Sequence, residues 1–396
     1  KCVRRLAQCA SIRLSRVPAC IKLPMATLTA AMRKRYAQVC LFLACLRWLV
    51  PELAFSTRAS PMLHRARSLA SVIPTLPRTR MAASPRSYHI GTAGQPWGAA
   101  EATQWLSERK KARSYQEEVV AKVESLRESF DVVQYGALSY DGGAIAHPLF
   151  AVKTKSWSAD RPSVLVTGGV HGYETSGVQG ALRFLTEGHA LRYAAKGFNI
   201  VVAPCVSPWG YEHIERWTPE AVDPNRSFRT EADDCPAQES AALQRLLSSC
   251  DVSRWACHVD LHETTDTDES EFRMAKAARD GQASEPGTIP DGFYLCGDER
   301  NLQLDFQRFV IEGVRRVTHI APADPDGTII GSPVVSEGII AYDYAALGLC
   351  GSVTNSPFTT TTEVYPDSPR ATDELCNQAQ VASVTSALDY LIQSRA

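Results

Sequence analysis

His171 and Glu174 stand three apart in the run Gly168-Gly169-Val170-His171-Gly172-Tyr173-Glu174. The apolar stretch Val164, Leu165, Val166 leads into it, and Val178, Leu182 and Leu185 follow at helical spacing. The pattern reads as strand, tight turn, helix, with glycines that let the backbone bend until an imidazole and a carboxylate meet at one point. A nitrogen and an oxygen ligand converging at the end of a buried strand suit a zinc ion. The competing reading is a Gly-rich turn whose His and Glu are solvated.

A second cluster lies in Cys257-His258-Val259-Asp260-Leu261-His262. In a strand, alternate side chains share a face, so His258, Asp260 and His262 point one way. His262, at the mouth of the strand, is the natural third ligand beside His171 and Glu174. Two His and one Glu leave the fourth tetrahedral position open to water, which marks a catalytic zinc, one per chain. His258 reads as a hydrogen-bonded core histidine, and most charges of the acidic loop Thr264 to Glu271 as facing solvent. In Phe358 to Pro366 four threonines favour a strand, and Glu363 within it would be unusually buried for a carboxylate. Near a metal it is a general-base candidate; the alternative is an edge-strand Glu facing water. Asn225 beside Arg226 offers an amide and a planar fork that can clamp a carboxylate, although alone the pair is an ordinary loop dipeptide.

The elements that must position these residues alternate. Strand patterns at Val132 to Tyr135, Pro148 to Val152, Phe198 to Ala203 and Trp255 to Leu261 are interleaved with helical patterns such as Gln238 to Leu247. Alternation argues for an α/β sheet with helices on both faces and chemistry at the strand ends. Residues 1–85 read instead as a leader, or as disordered. The first hundred residues hold one acidic residue, Glu52, against many Arg and Lys. Met32 to Arg35 followed by Val39 to Leu46 resembles a secretory signal, and the Arg/Ser-rich piece after it fits a bipartite plastid address or another transit peptide. Arg47 and Pro51 interrupt the apolar run, so no stable membrane span is expected. The leader points to an organelle, plastid or mitochondrial; translation from Met81 would leave no targeting segment and a cytoplasmic protein. The seven cysteines after the leader are odd in number with no CxxC, which fits buried thiols in a reducing compartment. A net charge of -1 gives no reason to expect a nucleic-acid partner.

Taken in order, His171-Gly-Tyr-Glu174, Pro208-Trp-Gly-Tyr211 with Arg216, Asp223-Pro-Asn225-Arg226, Asp260-Leu-His262 and Glu363 resemble the motif set of the M14-type zinc metallocarboxypeptidases, over roughly Ser87 to the C-terminus. The resemblance implies a single catalytic α/β domain over residues 86–396, with a mixed central β-sheet flanked by helices on both faces. It implies zinc held by His171, Glu174 and His262, with Asp223 accepting the other ring N–H of a ligating His. Glu363 would activate a zinc-bound water, Arg216 would stabilise the oxyanion, and Asn225 and Arg226 would grip the free carboxylate of the substrate. The family's mobile tyrosine corresponds to Tyr342 or Tyr344, with Tyr342 preferred; on a strand both would share a face. Glu263 stands where the family has a small hydroxyl residue, and its charge beside the metal would favour a cationic substrate unless it points away. The activity implied is hydrolysis of a C-terminal peptide bond. The alternative is a related zinc amidohydrolase that deacylates N-acyl amino acids, like the aspartoacylase and succinylglutamate desuccinylase group. An open groove would favour peptides, and a capped small cavity acyl amino acids. A metal-free binding protein on the same fold is the third reading.

Overall fold

In a computed structural model of the chain, residues 88–140, 145–229 and 231–394 are described. The leader expected over residues 1–85 lies outside them. No helix among the described residues is long and apolar enough to cross a membrane.

Val164 and Val166 face one side of their strand and Leu165 the other, and the same alternation along its neighbours splits the interior into two apolar layers. The strands are β1 (Phe130–Tyr140), β2 (Ile145–Thr154), β3 (Ser163–Gly168), β4 (Asn199–Ala203), β5 (Trp255–Glu263), β6 (Tyr294–Asp298), the short β7 (Thr328–Ile329) and β8 (Ser332–Pro333), β9 (Ile339–Tyr342) and β10 (Phe358–Val364). Eight of them form one sheet in the order β1-β2-β4-β3-β5-β10-β6-β9, and β7 pairs only with β8. The run β4-β3-β5-β10 is parallel, whereas β1 with β2, β2 with β4, and β10 with β6 are antiparallel. The sheet is therefore mixed, with its parallel part covered on both sides.

Four helices cover it: α1 (Thr175–Thr186), α2 (Gln238–Ser249), α3 (Leu304–Val314) and α4 (Asp373–Gln393). Leu182 and Leu185 of α1, Val310 of α3 and Val384 and Leu388 of α4 pack on Val164, Val166, Val259 and Leu261. On the opposite face Leu243, Leu246 and Leu247 of α2 pack on Leu165, Val201 and Ala203. This is the α/β domain with helices on both faces that the alternation implied.

The four threonines of β10 do not mark an edge. The strand lies between β5 and β6, and its helix-facing hydroxyls are satisfied by two buried glutamines. Thr360 Oγ1 donates to Gln307 Oε1 of α3 and Thr362 Oγ1 to Gln380 Oε1 of α4, each at 2.6 Å. Gln380 Nε2 in turn donates to the carbonyl of His262 at 2.8 Å, tying α4 to the end of β5.

From β3 the chain passes through α1 to β4 on one side, then through α2 to β5 on the other. The strand order thus reverses at β3, and a crevice opens beyond the carboxyl ends of the parallel strands. His171, Ser207, His262 and Glu363 all lie at or just past those ends.

Candidate active site

The turn after β3 is set by glycine. Gly169 has φ +59°, and a Cβ there would lie 2.5 Å from Val178 Cγ2. Glu174 then occupies the position before the first turn of α1 without capping it. The cap comes from β5: the Glu263 carboxylate accepts from Thr175 N at 3.0 Å and Ser176 N at 2.7 Å. Glu263 borders the cavity, but its carboxylate is engaged by the helix N-terminus, where it offsets the dipole. The Glu174 side chain is free to turn toward the histidines.

His171, Glu174 and His262 are each 2 % exposed or less. Their donor atoms lie within 4.8 Å of one another. His171 Nδ1 is 2.7 Å from Glu174 Oε1, and His262 Nδ1 is 2.7 Å from Glu174 Oε2. The far nitrogens are also taken by carboxylates, His171 Nε2 by Asp223 at 3.0 Å and His262 Nε2 by Asp260 at 2.9 Å. A neutral imidazole has one N–H, so it can serve only one of its two carboxylates. With Nε2–H given to Asp223 and Asp260, both Nδ1 lone pairs face the Glu174 oxygens, acceptor against acceptor. Consistent with this, Glu174 Oε2 is buried yet accepts no hydrogen bond. A cation among the three groups resolves the conflict, and the donor set of two nitrogens and a carboxylate fits zinc. The electrostatics favour a positive charge between the carboxylates. Burial works to raise the Glu174 carboxyl, but the imidazoles of His262 and His171 outweigh it and hold the group at about 2. Burial works to lower His262, and Glu174 and Asp260 drive it well above its usual value instead.

A second buried group of ligand-type side chains, His258, Asp260 and Cys350, needs no ion. The Thr167 hydroxyl sits among them, 2.9 Å from His258 Nε2, 2.5 Å from Asp260 Oδ1 and 3.7 Å from Cys350 Sγ. His258 is thus the core histidine that its place in the strand suggested, with its pKa lowered by burial to about 4.

Glu363 is the register partner of His262 across β5 and β10 and of Tyr294 across β10 and β6. Thr264 Oγ1, itself 2.7 Å from Tyr294 OH, donates to Glu363 Oε2 at 2.8 Å. Burial, then the charge of Glu174, raises the Glu363 carboxyl to about 8. Arg216 donates through Nε to Asp223 Oδ2 at 3.2 Å and through Nη1 to Asp268 Oδ1 at 3.3 Å. Asp268 also accepts from Tyr173 OH at 2.7 Å, so part of the loop read as solvent-facing reaches into the site. Asn225 Oδ1 accepts from Cys350 N at 2.7 Å, which aims Nδ2 toward His262. Arg226 Nη1 donates to the Asn225 carbonyl at 2.7 Å. Strand β9 ends at Tyr342, and Asp343 caps a helical turn by accepting from Ala346 N at 3.0 Å. The two tyrosines therefore separate: Tyr344 is fully buried and donates to the Cys296 carbonyl, while Tyr342 lines the cavity.

His171, Glu174, His262, Glu363, Arg216, Asp223, Asn225, Arg226 and Tyr342 all line one cavity of about 340 Å³. Sequence reading missed Asp260 as the partner of His262, although its place two residues earlier on the same face was visible. It also missed Asp268, Thr264 and Tyr294, which reach the site from loops and a neighbouring strand without any local signal.

Residues 155–324 match the model of a family described as a protein of unknown function (DUF2817), less than half of the chain. The match includes the three candidate ligands but not Tyr342 or Glu363. No curated protein matches the chain. Among solved structures, a candidate metallopeptidase from Shewanella amazonensis is similar at 18% identity with a TM-score of 0.51, covering 70% of this chain and 92% of that one. A metallo-carboxypeptidase from Burkholderia cenocepacia is similar at 14% identity and a TM-score of 0.47, covering 71% and 70%. At these identities the likeness concerns the fold alone.

Proposed function

We propose that the protein is a zinc metallocarboxypeptidase of the M14 type, hydrolysing the C-terminal amide bond of a substrate that carries a free carboxylate. The observation that carries this reading is the convergence in one cavity of three buried ligand atoms, a partly buried carboxyl and two arginines. Zinc bound by His171, Glu174 and His262 would act as a Lewis acid and lower the pKa of water. Glu363 takes the proton of the attacking water and returns it to the leaving amine, and its hydrogen bond from Thr264 fixes its orientation. Asp223 and Asp268 hold Arg216 where a guanidinium can face a developing oxyanion. Asn225 and Arg226 bind the substrate carboxylate, with Tyr342 closing the same end of the cavity. The wall formed by the cross-strand neighbours Thr361 and Cys296, with Ile330, Leu347 and Leu349, contains no carboxylate.

A volume of about 340 Å³ also fits one acylated amino acid, which keeps the N-acyl amino acid deacylase as the second reading. The test is hydrolysis by zinc-loaded wild type and Glu363→Gln, using peptides with free C-termini, the same peptides amidated, and N-acyl amino acids. Wild type should cleave the free-carboxylate peptides and spare the amides. Glu363→Gln should keep its metal and lose at least about a hundredfold in rate. Cleavage confined to the N-acyl amino acids would select the deacylase, and equal rates for wild type and Glu363→Gln would refute the assignment of the base.

A further inference from the structure

Behind the metal-ligand turn, a seam joins two stretches of backbone. A Cβ on Gly172 would lie 2.1 Å from Gly210 C and 2.1 Å from Tyr211 N, so the turn carrying His171 and Glu174 touches the short helix Pro208–His213 main chain to main chain. Tyr173 N donates to the Glu215 carbonyl at 3.1 Å further along the same seam. One side chain spans it from outside. Arg113 donates through Nη2 to the Gly172 carbonyl at 2.9 Å, through Nε to the Tyr211 carbonyl at 2.6 Å and through Nη1 to Thr175 Oγ1 at 2.7 Å. Its guanidinium carbon lies 3.5 Å from the centre of the Tyr211 ring. The backbone of Arg113 is itself anchored, since Ala112 N and Arg113 N both donate to the Glu212 carbonyl, at 2.7 and 3.2 Å.

All three acceptors are uncharged, so the group does not serve as an ion-pair partner for them. It ties the residue between two ligands, the first residue of α1 and the segment that runs on to Arg216. A planar fork can reach three acceptors at once, and a lysine ammonium on a flexible stem cannot reproduce that geometry.

We infer that Arg113 is a positioning residue for the metal centre, holding the His171–Glu174 turn at the spacing that ligation requires; this rests on the metal-site reading above. Groups that orient ligands change metal affinity by about 10- to 100-fold when lost. The test is zinc affinity by chelator competition on the full chain as wild type, Arg113→Ala and Arg113→Lys. Each is measured with and without guanidinium chloride far below its denaturing range, against sodium chloride of equal ionic strength, with thermal stability followed in parallel. Both variants should bind zinc at least about tenfold more weakly, and guanidinium should restore part of the affinity of Arg113→Ala only. Should Arg113→Ala not fold, Arg113→Lys carries the test by its weakened zinc affinity. A variant with wild-type affinity, or a loss that guanidinium leaves untouched and that tracks thermal stability, overturns the inference alone. A wild type that takes up no zinc overturns the metal reading together with it.

Discussion

Asp223 and Asp260 differ in how they meet their histidines, and that difference predicts unequal roles. Asp223 is shared between His171 and Arg216, so its charge is already matched, and Arg216 and His171 hold it well below the usual carboxylate range against the opposing effect of burial. Asp260 has the imidazole of His262 and the hydroxyl of Thr167, with no arginine partner among its ion pairs in the described residues. Asp260→Asn should therefore lower zinc affinity by about 10- to 100-fold, because the neutral amide orients His262 less firmly and leaves it less basic. Chelator competition measures this, and an unchanged affinity would remove Asp260 from the support of the site. At this scale the sequence carried what is local. His171 and Glu174 stand out because glycines flank them, and His262 because a strand alternates. Glu263 points away from the metal, the reading preferred from sequence, but that it caps α1 and that Asp268 holds Arg216 was not legible, because nothing periodic says where a carboxylate at a strand end or in a loop turns. Tyr342 was preferred over Tyr344 only slightly, since a strand would put both on one face; Asp343 ends the strand between them and separates the two.

Among the elements, α2 docks on β1 through a buried carboxyl as well as through leucines. Tyr140 OH donates to Glu239, which is 1 % exposed. Burial raises this carboxyl to about 7. The folded protein therefore holds a proton there that the unfolded chain, with its lower carboxyl pKa, has released. With more protons bound in the native state, stability falls as pH rises from about 4.5 to about 7 and levels off above. The loss attributable to Glu239 is on the order of 3 kcal/mol. Urea unfolding of wild type and Glu239→Gln at pH 5 and pH 8 should show the variant losing less stability than wild type between the two; equal losses would contradict it. Strands β6 and β9 and helices α3 and α4 were not singled out, whereas strands β1 to β5 and helices α1 and α2 were legible from apolar period. The central place of β10 was not, because a run of threonines fits an edge as well as an interior strand until Gln307 and Gln380 are seen to satisfy the hydroxyls.

For the molecule as a whole, the reversal of strand order at β3 gathers residues from sequence positions 171 to 363 around one crevice. That gathering requires a sheet with helices on both faces, which the alternation of strand and helix patterns and the order of the motifs make readable in the sequence. The central claim is that His171, Glu174 and His262 hold one metal ion. It is tested most directly by metal content per chain, after zinc loading and exhaustive dialysis, in wild type and in His262→Ala. The account predicts about one zinc per wild-type chain and far less in His262→Ala. A wild type without zinc, or a His262→Ala protein that retains it fully, would contradict the account.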